Sequence, residues 1–250
     1  MAKEQNDVQG VLIVDKPEEW TSHDVVAKLR GHFKIKKIGH AGTLDPMATG
    51  LLAVLCGKST KLSDTLMASP KTYRMTARFG IETNTQDITG ETVAEKPLPE
   101  NFSKETLEKA MEEFRGEILQ TPPMFSALKI NGQKLYKAAR SGKEIEREKR
   151  PVTIYDFRLL TLKGNEADFT CRCSKGTYVR TLAHDLGQKL GCGAALASLR
   201  RTEGCFSTIE EGHTLDELLS WDLEKLREEA QKGLEKITTV LNGDVNSEER

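Results

Sequence analysis

The sequence predicts an α+β fold, a mixed and largely antiparallel sheet flanked by helices, with residues 1–250 forming one catalytic-sized domain. Two observations carry this. Strand-like segments do not alternate regularly with helical ones, as they would around a parallel sheet. Where strand-like segments follow one another, turn signals such as Asn131-Gly132 and Lys163-Gly164-Asn165 join them as antiparallel pairs would be joined.

The elements follow in order. Gly10 to Val14 is a short apolar run ended by Asp15-Lys16-Pro17, and it reads as a buried strand. Ser22 caps a helix through Phe33, with Asp24 in its first turn and Val25, Val26, Leu29 and Phe33 on one face. Gly39, Gly42, Pro46 and Gly50 break both periodicities, so the stretch 39–50 reads as irregular. Leu51 to Leu55 reads as a buried strand, Lys58 to Ala68 as a helix and Thr72 to Phe79 as a strand with polar positions. Ser103 caps a helix to Arg115 that buries Leu107, Ala110, Met111 and Phe114. Ile130-Asn131-Gly132-Gln133 is a hairpin signal, and residues 134–150, with seven Lys/Arg against three Glu, read as an exposed basic excursion. Val152 to Leu162 and Ala167 to Cys173 pair as strands. Thr177 to Leu190 is a helix, Ala195 to Leu199 a strand, and the chain from Thr214 an acidic helical tail that frays after Gly243.

Composition narrows the function. No stretch approaches the roughly 20 apolar residues of a membrane span, and Met1 to Gly10 lacks the apolar core of a secretory signal, so the expected location is the cytoplasm. The five cysteines form no CxxC pair and read as buried thiols. The net charge of −1 hides a segregation: residues 210–250 hold 12 Asp/Glu against 5 Lys/Arg, leaving 26 against 32 elsewhere. A basic body of this kind suits a polyanion, and on charge alone it equally describes an ordinary solvated surface.

The block Gly39-His40-Ala41-Gly42-Thr43-Leu44-Asp45-Pro46-Met47-Ala48-Thr49-Gly50 is the richest in chemistry. Glycine admits close approach to a ligand, and Pro46 holds Asp45 out of helical geometry, so its carboxylate projects as a nucleophile or base. The same residues also suit an ordinary Asp-Pro turn. Lys28, Arg30, Lys34, Lys36 and Lys37 precede it with no acid between Lys28 and Leu44, a pattern that neutralises phosphates or simply faces solvent. Tyr73 and Tyr178 stand beside arginines, in Lys71-Thr72-Tyr73-Arg74 and Gly176-Thr177-Tyr178-Val179-Arg180; such rings can stack on an extruded base while the cations hold its phosphates, or simply pack within strands. An Arg180 paired with Asp45 would keep that carboxylate ionised. Phosphate loops, dinucleotide fingerprints, zinc-protease pairs and nucleophile elbows are absent, and the histidines and carboxylates lack metal-ligand spacing. The expected reaction needs no cofactor and no metal.

Taken in order, Asp15-Lys16-Pro17, the 39–50 block, Lys71-Thr72-Tyr73-Arg74, Thr121-Pro122-Pro123 with Ser126-Ala127-Leu128-Lys129, Gly176 to Arg180 and Leu199-Arg200-Arg201 resemble the TruB family of bacterial tRNA pseudouridine-55 synthases. The resemblance spans about residues 9 to 205 and implies the pseudouridine synthase fold. It implies Asp45 as the catalytic aspartate, Tyr73 as the ring on the target base and Arg180 as the partner of the aspartate. His40, Tyr178 and Leu199 line the flipped nucleotide, and Lys16 and Pro17 support the site. Residues 121–150 become an insertion, mobile until it clamps RNA. The implied partner is the T-arm stem-loop of tRNA, with no membrane and no obligate protein partner. An RNA chaperone, or another RNA uridine as target, remains open. Many relatives carry a C-terminal RNA-binding PUA domain; the acidic helical tail after Arg201 predicts none here.

Overall fold

The computed structural model describes residues 7–126, 128–130, 132–141 and 145–245. In chain order the elements are β1 (Gly10–Lys16), α1 (Ser22–Phe33), β2 (Ile38–Ala41), β3 (Thr49–Cys56), α2 (Ser63–Ala68), β4 (Lys71–Phe79), β5 (Ile81–Thr83), β6 (Thr92–Glu95), α3 (Lys104–Met111), β7 (Gly116–Gln120), β8 (Lys129–Ile130), β9 (Gln133–Lys134), α4 (Leu135–Arg140), β10 (Arg150–Lys163), β11 (Glu166–Cys173), α5 (Val179–Lys189), β12 (Ala194–Gly204), β13 (Ser207–Thr208), β14 (His213–Thr214), α6 (Leu215–Ser220) and α7 (Leu223–Val245). The predicted α+β class holds. The chain divides into two compact units, residues 1–72 with 200–250 and residues 73–199.

In the first unit the strand order is β14-β1-β3-β12, with β2 also on β3 and β13 on β12. Val14↔His213 and Arg200↔Thr49 are parallel pairings; β1 with β3 and β2 with β3 are antiparallel. Both faces of β1 and β3 are covered, which is why these strands read as continuous apolar runs rather than alternating ones. Leu12, Val14, Leu52 and Val54 pack with Val25, Val26, Leu29 and Phe33 of α1 and with Leu215, Leu218, Trp221 and Leu226 of the tail. On the other face Val11, Ile13, Leu51 and Leu55 meet Leu66 and Ile237. The tail is therefore a structural part of this unit. Helix α7 lies backbone to backbone on β1: a Cβ on Gly233 would fall 2.2 Å from the Val11 carbonyl oxygen.

In the second unit the order is β12-β4-β11-β10-β7. Strands β10 and β11 pair antiparallel through Lys163↔Glu166, as the Lys-Gly-Asn turn predicts, and β7 pairs antiparallel with β10. Phe157 and Phe169 stack at 5.3 Å in its core. Ser103 caps α3 as expected, accepting from the Thr106 amide at 3.3 Å. The hairpin at Ile130↔Gln133 forms, with Gly132 at φ 79°; its Asn131 lies outside the described residues, as do Ala127 and 142–144 of the expected insertion.

Several expectations are corrected. Thr21 rather than Ser22 caps α1, in a capping box with Asp24, which releases the Ser22 hydroxyl for another contact. The irregular stretch is shorter than 39–50, because pairing to β3 draws Ile38–Ala41 into β2 and Thr49 and Gly50 already belong to β3. The helix expected from Lys58 begins as a 3-10 turn over Gly57–Leu62. The basic excursion has apolar anchors after all, since Leu135 and Ala138 of α4 are buried. Strand β12 runs on to Gly204, and α7 continues past Gly243 to Val245. Among the described residues, no helix is long and apolar enough to cross a membrane, and no group of three or more His, Cys, Asp or Glu could hold a metal ion. The five cysteines are free and buried, as expected.

Candidate active site

The first unit positions Lys16, Pro17, His40 and Asp45. Asp45 stands, half-buried, on the loop between β2 and β3, where the Ala48 amide closes a turn onto the Asp45 carbonyl at 3.0 Å. The loop is pinned on both sides of the carboxylate. Before it, the buried Ser22 hydroxyl accepts from the Leu44 amide at 2.9 Å and donates to the Leu44 carbonyl at 3.2 Å. After it, the Pro46 carbonyl accepts from the Lys16 ammonium at 3.2 Å and from the Glu19 amide at 2.9 Å. Arg201, fully buried, ties the two ends of the loop together. Its guanidinium donates to the Leu51 carbonyl at 2.6 Å and to the Gly42 carbonyl at 3.0 Å. Gly50, at φ +97°, is held so close to β12 that a Cβ would lie 2.3 Å from the Arg201 carbonyl oxygen, so only glycine fits.

Lys16 is buried, and its ammonium also donates to the carbonyls of Pro17 at 2.8 Å and Trp20 at 2.6 Å. Burial pushes its pKa down to about 8, against the opposing pull of Asp45 and Glu18. His40, on β2, is held below the ordinary histidine range by burial first and then by Arg201 and His23, so it enters neutral solution uncharged. Its Nδ1 is buried and meets no hydrogen-bond partner among the described residues. Nearby, Arg200 forks onto Asp15 at 2.9 and 2.7 Å, fixing β12 to β1.

The second unit positions Tyr73, Tyr178, Arg180 and Leu199. Tyr73 is buried on β4, and Leu199 is half-buried on β12. Tyr178 opens α5, and the Gln120 side chain binds both of its backbone groups: Gln120 accepts from the Tyr178 amide at 2.8 Å and donates to its carbonyl at 3.1 Å. Arg180, the second residue of the helix and 5% exposed, donates to the Phe125 carbonyl at 2.6 Å and the Thr85 carbonyl at 3.4 Å. It lies 3.6 Å from the Asp87 carboxylate and 5.9 Å over the Tyr178 ring. Asp87 is itself fixed by the Thr85 hydroxyl at 2.8 Å and by the Thr89 amide and hydroxyl at 3.0 and 2.5 Å.

Ser22, Asp87, Gln120 and Arg201 are the residues that sequence reasoning missed. Asp87 left a signal, since the Thr-x-Asp-x-Thr pattern of 85–89 favours a side-chain-closed turn. Arg201 stood in the Leu199-Arg200-Arg201 motif and Ser22 beside a helix start, but nothing in the sequence gave the role of either, or of Gln120, because their partners are backbone groups of segments distant in the chain.

Comparison with known proteins gives a consistent picture. Residues 30–179 match the model of the TruB family pseudouridylate synthase (N terminal domain), and residues 180–241 that of the tRNA pseudouridylate synthase B C-terminal domain. A protein of Opitutus terrae named tRNA pseudouridine synthase B is 50% identical over 216 residues, 86% of this chain and 89% of that one. A namesake from Chromobacterium violaceum is 48% identical over 86% of this chain and 70% of its own. Among solved structures, a chain of a Cbf5-Nop10-Gar1 complex superposes with a TM-score of 0.69 at 29% identity, covering 94% of this chain. A chain of an H/ACA RNP bound to a substrate RNA superposes at 0.68 with 26% identity over 91% of this chain. The present chain spans about 60% of each of these two.

Proposed function

The chain belongs to the TruB family of pseudouridylate synthases, and from that premise we propose that it isomerises a tRNA uridine, the T-loop uridine at position 55, to pseudouridine in the cytoplasm. The observation that carries the reading is Asp45 on a loop whose backbone is fixed before, after and at both ends by Ser22, Lys16 and Arg201. A carboxylate held so rigidly suits chemistry on a reacting group rather than a solvated turn.

The reaction breaks the bond from uracil N1 to ribose C1′ and forms one from C5 to C1′. The proton lost from C5 is balanced by one gained at N1, so no redox partner enters. The target base lies within a folded loop, and extrusion exposes it. In this reading Asp45 attacks the base or assists its departure from ribose, Tyr73 stacks on the extruded ring, and Arg180 supplies the compensating positive charge. His40, Tyr178 and Leu199 line the nucleotide, with His40 as an uncharged donor or acceptor. Lys16 and Pro17 support the loop.

The test is Asp45→Asn, which preserves shape and removes the nucleophile. Tritium release from C5-labelled uridine in tRNA should fall to background while filter binding of tRNA is kept or strengthened. Turnover near wild type would remove Asp45 from the mechanism. Mapping pseudouridines in RNA from cells with and without the protein identifies the target position. Unchanged RNA would favour a chaperone that needs no carboxylate.

A further inference from the structure

We propose that Gln120 is a positioning residue for the reaction: it fastens the chain segment between β7 and β10 to the start of α5, and thereby sets Tyr178 and Arg180 for the substrate nucleotide. The claim rests on the reading above, in which Tyr178 lines that nucleotide and Arg180 supplies charge.

The need arises at the helix start. An N-cap is usually Ser, Thr, Asp or Asn, whose side chain braces the exposed amides of the first turn. Here the N-cap is Tyr178, and its side chain makes no such bond. The brace comes instead from Gln120, 58 residues earlier in the chain. A carboxamide offers an acceptor and a donor side by side, as a peptide group does. Gln120 spends its acceptor on the Tyr178 amide at 2.8 Å and a donor on the Tyr178 carbonyl at 3.1 Å, gripping the backbone in both directions. That carbonyl also accepts from the Leu182 amide at 3.0 Å, which carries the constraint into the first turn. At 2% exposed, Gln120 meets little competition from water.

The chain before Tyr178 is anchored elsewhere. Ser174 donates from its amide to the Thr153 carbonyl at 2.8 Å, and its hydroxyl accepts from the Thr153 amide at 2.9 Å. The Thr177 hydroxyl closes onto the Ser174 carbonyl at 2.9 Å, with Gly176 at φ +82° turning the chain between them. Two anchors therefore bracket the turn, and Gln120 is the one on Tyr178 itself.

Gln120 also stands at the root of a longer segment. Strand β7 ends at Gln120, β10 begins at Arg150, and the two residues pair across the strands, so the chain between them leaves and returns at one point. Arg147 on the returning limb donates to the Pro122 carbonyl on the outgoing one at 3.2 Å. Five residues past Gln120, the Phe125 carbonyl holds the Arg180 guanidinium at 2.6 Å. One short stretch, 120–125, thus grips both the backbone of Tyr178 and the head of Arg180. RNA that pulls on this segment moves both together.

The test uses Gln120→Glu, with Gln120→Met as its uncharged control. A protonated glutamic acid restores both bonds to Tyr178, whereas its carboxylate has no donor for the carbonyl; methionine makes neither bond at any pH. Single-turnover pseudouridine formation on tRNA is followed from pH 5.5 to 8.5, alongside filter binding, thermal unfolding and amide exchange. At pH 8 both variants should lose about 10- to 100-fold in rate, with tRNA affinity within about twofold of wild type. Relative to wild type, the glutamate variant should recover at least about fivefold by pH 5.5, since burial beside a carbonyl favours its neutral form. The methionine variant should not recover. Amides in the first turn of α5 should exchange faster in the methionine variant. An isolated T-arm stem-loop should slow exchange of that turn and of residues 121–126 in wild type, but only of 121–126 in this variant. A wild-type rate in the methionine variant would overturn the proposal. So would a loss that merely tracks unfolding or tRNA affinity, matching flat pH profiles for the two variants, or a first turn that exchanges as in wild type. Asp45→Asn run in parallel keeps the two claims apart: an active Asp45→Asn sinks the catalytic reading, and the exchange comparison still decides whether Gln120 holds α5.

Discussion

Replacing Lys16 with Met should abolish a pH-dependent part of the protein's stability. The Lys16 amine titrates at about 8, against 10.5 for an ordinary lysine, mainly because it is buried. Below about pH 8 both the folded and unfolded chains hold the proton, and the full cost of a buried charge is present. Between about 8 and 10.5 the unfolded chain binds more protons, so stability rises with pH. At about 1.4 kcal/mol per pH unit the whole window is worth about 3 kcal/mol, of which about 2 kcal/mol accrues by pH 9.5. Methionine has a similar length and no charge, so its variant lacks this gain. Urea unfolding of both proteins at intervals from pH 7 to 9.5 isolates the step, because every other titrating group is common to the two. The difference in unfolding free energy should move in favour of wild type by about 2 kcal/mol across that range. Parallel curves would refute the reasoning and mean that the three carbonyls around the ammonium offset its burial. Activity should fall in the variant at every pH, because the Pro46 carbonyl, next to Asp45, loses one of its two donors.

Ser22→Ala removes both hydrogen bonds to Leu44; we expect a loss of about 1–3 kcal/mol in unfolding free energy and a fall in kcat of about 10- to 100-fold at unchanged KM, with Ser22→Thr recovering much of it. A proportional change in KM alone would show that the bond does not position Asp45. Gly50→Ala forces a left-handed backbone and a clash with β12, so it should cost at least about 2 kcal/mol of stability, read by thermal unfolding; a variant as stable as wild type would contradict the close approach.

Some of this protein was legible residue by residue. The apolar runs of β1 and β3 and the alternation of β10 and β11 depend on local pattern, and each was placed to within a few residues. The Asp45 loop was equally readable, because glycine and proline constrain backbone within a span of a few bonds. The short strand β7 and the outward continuation of β12 were not, since their pairing comes from strands elsewhere in the chain rather than from their own composition.

What the sequence alone determined is the chemistry on offer: a carboxylate on a turn, rings beside arginines, a basic body and an acidic tail. The tertiary structure decided which of these groups are held and by what. It gave Ser22 to Leu44 because Thr21 took the cap, and it spent Arg201 on the two ends of the Asp45 loop, 150 residues or more away in the chain. It gave Arg180 the carboxylate of Asp87 and two carbonyls, and it turned the acidic tail into a wall of the core. The physical reason is common to all four. Satisfying a buried polar group, or closing an apolar face, depends on partners brought close by folding, and sequence spacing does not encode that proximity.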